Sequence, residues 1–264
     1  MSSAHQSEPH TMIPAERRAR ILEILDSRRA VRASQLGEEL GVSGMTIRRD
    51  LEDLEARGLL ERTHGGATFK RQQVGEPFYA ESALARTEEK RRITEAAAGM
   101  IHPGETIFLS SGATAAQVLR QVGAQMQARV VTHNMGAIAE ADGSRIELVL
   151  LGGNYRRQSN VVEGFLPIET VGDFYAVTMI LSPDGVSLKE GLTTSSIGAA
   201  AVERSMLAHT QGELVVIADS SKIGVVADAV ICPLERADVV IVDDGISRTA
   251  LEELERLGLR VVVV

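Results

Sequence analysis

Residues 43–67 read S-G-M-T-I-R-R-D-L-E-D-L-E-A-R-G-L-L-E-R-T-H-G-G-A, and no other stretch so narrows the folds open to this chain. Ser43 stands where a helix N-cap belongs and Gly58 where a helix stops, while Gly65-Gly66 permits the positive backbone angles of a tight hairpin. With Ile47 as the reference and about 100° per residue, Leu51 and Leu54 fall on its side and form a buried stripe. Met45 and Arg49 fall near the opposite side, and Arg48 flanks them. Glu52, Asp53 and Glu55 come later. Phosphate attracts the early cations and repels the late anions, so such a helix suits entry into DNA by its N-terminal end.

The residues upstream supply its companions. Pro14 opens a helix over residues 14–28 with Ile21, Leu22 and Leu25 on one stripe. A second, short helix starts near Ser34 as its N-cap, carries Leu36 and Leu40 four apart, and ends at Gly41. Three helices with a glycine-containing turn before the third match a helix-turn-helix, and residues 59–67 read as strand, turn and strand, a wing. The expected DNA contacts are Ser43, Met45, Thr46, Arg48 and Arg49 on the third helix, with Arg62, His64, Gly65 and Gly66 on the wing. Arg48 and Arg49 suit phosphates or guanine edges, Met45 a thymine methyl, and Ser43 and Thr46 a phosphate or the helix cap. The competing reading pairs Arg48 with Glu52, four residues on.

Charge distribution fits this division. The 264-residue chain carries a net −8, yet residues 1–73 hold 12 Lys/Arg against 11 Asp/Glu, and the remainder holds 16 against 25. The acidity belongs to the second part, so DNA affinity must come from local placement of arginines, doubled by self-association. Aromatic content is 3% with no Trp, so the core must be aliphatic. The single Cys232, in A-V-I-C-P, excludes an intramolecular disulfide and reads as a small buried hydrophobe. No apolar run approaches the roughly 20 residues that span a bilayer, and no signal-peptide core opens the chain. A cytoplasmic protein without a membrane partner is expected.

From Glu88 onward, apolar runs alternate with helical segments. The expected strands are 106–109, 129–132, 147–151, 176–181, 213–218, 239–242 and 260–264, with helices near 115–122, 197–209 and 249–257. Continuous Val/Ile/Leu runs separated by helices indicate a largely parallel sheet covered on both faces. Such sheets bind ligands just beyond the carboxyl ends of their strands. Three segments lie there. Ser110, Ser111, Gly112, Ala113 and Thr114 follow the first strand and open a helix, which makes either a phosphate cradle or an ordinary turn with a serine cap. Gly152 and Gly153 allow close backbone approach, or simply turn the chain. Asp219 and Lys222 follow the fifth strand, and Lys222 could reach a phosphate. Asp184, Lys189 and Glu190 lie in an intervening loop, where a carboxylate could hold a sugar hydroxyl, serve as a base, or face water. The expected ligand contacts are Ser110, Ser111, Gly112, Ala113, Thr114, Gly152, Gly153, Glu190, Asp219 and Lys222. One Cys and six scattered His give no metal spacing, and neither a G-x-x-x-x-G-K-[ST] loop nor G-x-S-x-G occurs. Nothing assigns a catalytic residue, a metal or a cofactor.

Taken together, these segments resemble the DeoR family of bacterial transcriptional regulators over residues 14–245. The winged helix-turn-helix signature is the stretch quoted first. S-S-G-A-T-A is similar to the family's phosphate loop, and V-T-H-N, L-G-G, E-G-L-T-T and A-D-S-S-K-I-G follow in the family's order. The family loop usually begins with Asp and reads Gly-Thr-Thr, where this chain has Ser110 and Gly112-Ala113-Thr114; the customary Asn after Val-Thr is His133. The resemblance implies a repressor with a sensor domain related to sugar-phosphate isomerases. Its partners would be a double-stranded DNA operator and a small phosphorylated sugar, and it would act as a homodimer or homotetramer.

The expected fold class is therefore α/β, a small N-terminal winged helix-turn-helix domain followed by a larger, mostly parallel α/β sensor domain. The divisions are a disordered tail 1–13, the DNA-binding domain 14–68, a linker 69–87, and a sensing and oligomerisation domain 88–264. Two alternatives stay open: an isomerase-like enzyme with an accessory DNA-binding domain, and a repressor that needs no ligand.

Overall fold

In the computed structural model, which describes residues 13–28, 30–56, 60–63, 65–69 and 79–264, the N-terminal stripes close on one another. Helix α1 (Pro14–Arg28), strand β1 (Ala30–Arg32), helices α2 (Ala33–Glu39) and α3 (Gly44–Ala56), and strands β2 (Leu60–Thr63) and β3 (Gly66–Phe69) form the first of two units, Met1–Arg71. Ile21, Leu25, Leu36, Ile47, Leu51 and Leu54 interlock as its core, as the angular reading of α3 requires. Three details differ from expectation. Ser34 does not cap α2: the helix begins at Ala33 directly from β1, with Arg32 extended and no side-chain cap. Strand β1, too short to show a period, joins the wing in the order β1-β3-β2. Gly66 does not adopt a positive φ. Its missing side chain serves packing instead, because a Cβ there would lie 1.9 Å from the carbonyl oxygen of Val31. The tail 1–12, Gly58, His64, and Gly75 and Pro77 of the expected linker lie outside the described residues.

Among the described residues the second unit, Gln72–Val264, opens with helix α4 (Tyr79–Leu84) inside the stretch read as linker. Then come α5 (Thr87–Ala98), β4 (Thr106–Leu109), α6 (Ala113–Gln125), β5 (Ala128–Thr132), α7 (Ala137–Ala141) and β6 (Ile146–Leu150). The hairpin β7 (Asn154–Arg156) and β8 (Val161–Glu163), α8 (Phe165–Val171) and β9 (Ala176–Leu181) follow. The chain continues through β10 (Gly185–Ser187), β11 (Gly191–Thr194), α9 (Ile197–Ala208), β12 (Thr210–Ala218), β13 (Ala229–Cys232), β14 (Val239–Val242), α10 (Arg248–Arg256) and β15 (Arg260–Val263). The seven expected strands are the seven strands of one parallel sheet, ordered β15-β14-β12-β9-β4-β5-β6. Alternate residues of a strand enter opposite faces. Phe108 packs with α9 residues Val202 and Met206, whereas Ile107 and Leu109 pack with Ile93 of α5 and Val118 and Leu119 of α6. A small antiparallel sheet, β10-β11-β13, lies beside the large one, and β10 and β11 convert the expected loop around Lys189 into a hairpin.

Candidate functional site

Helix α3 presents its cations unopposed. Ser43 caps it, accepting from the Thr46 amide at 3.2 Å, and Met45, Arg48 and Arg49 are exposed beyond that cap. The acidic residues of α3 are engaged within the unit. Asp50 takes the Arg17 guanidinium at 2.6 Å, Asp53 pairs with Arg18, and Glu52 takes Arg62 at 3.0 Å. The Arg62 amide also donates to Glu55 at 3.1 Å, which ties strand β2 to α3. Glu52 is thus engaged by the wing rather than by Arg48. Among the described residues no ion-pair partner falls to Arg48 or Arg49. Near-zero net charge here hides two uncompensated guanidinium groups on one exposed face. Gly65 and Gly66 sit in and beside the wing turn, so all the expected DNA contacts but His64, which is not described, fall on α3 and the wing.

In the second unit a cleft lies at the carboxyl end of the large sheet, lined by Tyr79, Ser82, Ser111, Gly112, Ala113, Ser159, Asp184, Thr194, Ser196 and Ala199. Its floor is the N-terminus of α6. The first amides of a helix have no intrahelical partner, and here no side chain caps them. Both preceding serines are committed elsewhere. Ser110 is buried, accepting from the Ser182 amide at 2.8 Å and donating to the Ser111 carbonyl at 3.1 Å. The Ser111 hydroxyl donates to Glu203 at 2.7 Å, and its amide does so at 3.2 Å. The serine-cap alternative for this turn is therefore not what forms. By contrast, Ser196 caps α9, accepting from the Ala199 amide at 3.3 Å. Asn134 braces the floor by donating to the carbonyls of Ser110 at 3.1 Å and Gly112 at 2.8 Å.

Behind this floor, Glu203 and His133 are both fully buried, with His133 Nε2 3.7 Å from Glu203 Oε1. The His133 Nδ1 lies 3.0 Å from the Val162 carbonyl, which can only accept, so Nδ1 carries the proton. Across the cleft, Asp184 Oδ2 accepts from the Thr194 hydroxyl at 3.1 Å and from the amide and hydroxyl of Ser195, each at 2.8 Å. The cleft thus offers bare amides on one wall, and a carboxylate and hydroxyls on the other.

The expected ligand contacts divide. Ser111, Gly112 and Ala113 line the cleft; Ser110 lies beneath it, and Thr114 is buried in the first turn of α6. Gly152, Gly153, Glu190, Asp219 and Lys222 are not on its wall. Gly153 serves packing, because a Cβ there would meet Val162, Glu163 and Pro167 within 3 Å. Glu190 occupies the turn of the β10–β11 hairpin, at the end away from Asp184, and accepts from Ser187 at 2.6 Å. Asp219 caps the turn after β12, accepting from the Ser221 amide at 3.1 Å, with Arg86 at 3.6 Å. Lys222 joins Arg86, Lys90 and Asp219 in a charge cluster, where burial pushes the Lys90 ammonium below its ordinary value. Tyr79, Ser82, Ser159, Thr194 and Ser196 are cleft residues that sequence reasoning did not single out. Isolated hydroxyls carry no spacing signal; only the tertiary packing brings these together.

Comparison with known proteins covers both units. Residues 17–73 match the DeoR-like helix-turn-helix domain, and residues 85–244 match the DeoR C terminal sensor domain. The chain is 31% identical to the HTH-type transcriptional regulator GlpR of Haloferax volcanii, over 95% of this chain and 98% of the relative. It is 29% identical to the HTH-type transcriptional regulator GolR of Listeria innocua, over 96% and 99%. Identity to the lactose phosphotransferase system repressor of Staphylococcus epidermidis is 30%, over 92% and 96%.

Proposed function

The chain belongs to the DeoR family of DNA-binding transcriptional regulators, and from that premise we propose that it is a repressor released from its operator when a small phosphorylated sugar fills the cleft. The uncapped N-terminus of α6 carries this reading. Its amides and helix dipole favour an anion, and the diversion of Ser110 and Ser111 leaves them open to one. Asp184 and the hydroxyls of Thr194 and Ser196 would take the sugar end. Those hydroxyls give their protons to Asp184 and Glu163, so toward a ligand they act as acceptors. Ala113 puts a methyl group on the cleft wall where the family loop carries a hydroxyl, which changes what can be held beside the phosphate. A relative named as a lactose phosphotransferase system repressor favours sugar catabolism as the regulated process. On the DNA side, Arg48 and Arg49 supply base and phosphate contacts, Met45 an apolar one, and β2–β3 the wing. A homodimer would double that grip, and a homotetramer would multiply it further.

Thermal stability against a panel of aldose and ketose phosphates and their unphosphorylated parents tests the reading, followed by operator release with any compound that stabilises. One phosphosugar should raise the melting temperature and free the operator, and its parent sugar should do neither. Arg49→Ala should lose specific operator binding yet keep the ligand shift. A flat panel, or stabilisation without operator release, would overturn the sensing mechanism. The enzyme alternative requires turnover. No isomerisation of pentose or hexose phosphates is expected, and turnover abolished by Asp184→Asn would favour the enzyme instead.

A further inference from the structure

Tyr79 and Ser82 belong to α4, a six-residue helix in the stretch expected to be linker. The two matched family regions end at residue 73 and begin at residue 85, so family membership gives α4 no role. Yet both side chains line the cleft beside the α6 N-terminus.

Their hydroxyls are idle. No hydrogen bond engages either among the described residues, and Ser159 Oγ, the one of the three that is buried, has no partner in the same wall. For Ser159 that is uncommon and costly, since a buried polar group has no water to turn to; Tyr79 and Ser82 are half-buried and line the cleft. A polyhydroxylated, phosphorylated ligand supplies acceptors for all three. The other hydroxyls of the cleft differ, because Ser111, Thr194 and Ser196 already donate to Glu203, Asp184 and Glu163.

The seat of Tyr79 is built rather than accidental. Its hydroxyl lies 1.8 Å from where a Cβ on Gly136 would be, so a side chain at 136 would expel it. The Gly136 amide donates to Asn134 Oδ1 at 3.0 Å, and the Asn134 amide group braces the loop that opens α6. Burial, helped by Glu140, pushes the phenol up to about 12, so it remains a neutral donor across the physiological range.

Helix α4 itself is lightly held. None of its side chains is fully buried, and apart from the seat of the Tyr79 ring its fastenings run through the backbone. The Tyr79 amide donates to the Gln158 carbonyl at 2.9 Å, Lys90 Nζ donates to the Ser82 carbonyl, and Gln117 reaches the Ala83 carbonyl at 3.5 Å. An element with few buried apolar contacts opens at low free-energy cost.

We propose that α4 reads the effector: Tyr79 and Ser82 donate to the phosphosugar in the cleft, and the ligand thereby fixes the helix from which the chain runs back to wing strand β3. This rests on the cleft being the effector site. It makes α4 the element through which occupancy is reported to the DNA-binding unit.

The test uses the full-length chain and whichever phosphosugar of the panel stabilises the parent. Tyr79→Phe, Ser82→Ala and the double variant are titrated with it, their folds checked by circular dichroism. In parallel, Leu84→Cys carries an environment-sensitive fluorophore; Leu84 is exposed, and the native Cys232 is buried. Loss of two hydrogen bonds should weaken binding about tenfold or more in the double variant. The label on Leu84→Cys should respond to the phosphosugar and not to its unphosphorylated parent. A double variant that binds as tightly as the parent, or a label silent at saturation, would overturn the proposal while leaving the cleft reading intact. A parent protein that no phosphosugar stabilises would overturn both. The parent's behaviour therefore separates the two failures.

Discussion

Two buried carboxylates show how single residues shape the cleft and its surroundings. Glu203 lies fully inside the protein, holding the Ser111 amide and hydroxyl with one oxygen, while its other oxygen has no partner among the described residues. Removing such an acceptor strands a buried amide and hydroxyl, and hydrogen bonds to charged groups are worth more than neutral ones. Glu203→Ala should therefore cost about 3 kcal/mol in urea denaturation and weaken phosphosugar binding, because Ser111 loses its anchor. Glu203→Gln keeps the acceptor and should cost under about 1 kcal/mol. Equal losses in both variants would mean that the charge, not the pair of hydrogen bonds, matters. Asp243 gives a pH signature. Burial acts to raise its carboxyl, but the amide and hydroxyl of Ser220, the Gly245 amide and Arg86 outweigh it and hold the group below its ordinary 3.8. A lowered native pKa means that the unfolded chain binds the proton more readily, so the stabilisation is present above 3.8 and lost as pH falls through the native value. Asp243→Asn should thus melt below the parent at neutral pH, with the gap narrowing as melts move below pH 4. A constant gap would remove the carboxylate's charge from the explanation.

Elements were legible to the extent that they carried a period or a continuous apolar run. The wing shows both sides of this. Gly65-Gly66 announces a hairpin, but the reason for Gly66 is the approach of β1, a three-residue strand that no pattern reveals. Gly66→Ala must push its Cβ against the Val31 backbone, an overpacking that should cost about 1–3 kcal/mol and loosen β1 from β3. Gly44→Ala, where nothing lies within 4 Å, should be neutral or slightly stabilising in the first turn of α3. Chemical denaturation of the two variants checks the contrast, and a Gly66→Ala variant as stable as the parent would show that β1 yields freely. The seven strands of the large sheet were visible because strands buried on both faces read as continuous Val/Ile/Leu runs. Helix α4 was not, because it has no apolar stripe to bury. The hairpin β10–β11 was hidden by its Gly, Ser and Thr content, so Asp184 and Glu190 looked like neighbours in one loop although the hairpin separates them. The loop over residues 110–114 could be found from its small residues after a strand. Tyr79 and Ser159 could not, since only packing brings them there.

For the whole molecule, the two units have separate hydrophobic cores: one is built from residues up to Ala67, and the others begin at Ile93. Separate cores predict separate cooperative transitions. Calorimetry of the full chain should resolve a smaller transition for the DNA-binding unit and a larger one for the sensor unit, since unfolding enthalpy scales with residue number. A phosphosugar at 100 times its dissociation constant adds about 2.7 kcal/mol to the unit that binds it. For a unit of this size that moves the larger transition by roughly 5–10 °C and leaves the smaller one in place. Operator DNA should do the reverse. The units nonetheless communicate if the ligand releases the operator, and linkage then sets a strict condition: the factor by which phosphosugar weakens operator binding must equal the factor by which operator weakens phosphosugar binding. Titrating each ligand in the absence and presence of saturating amounts of the other measures both factors. Agreement, with each ligand moving its own transition, would establish two independently stable units coupled by a switch. One merged transition that either ligand shifts would instead mean that the recognition helix senses the effector by folding together with the sensor.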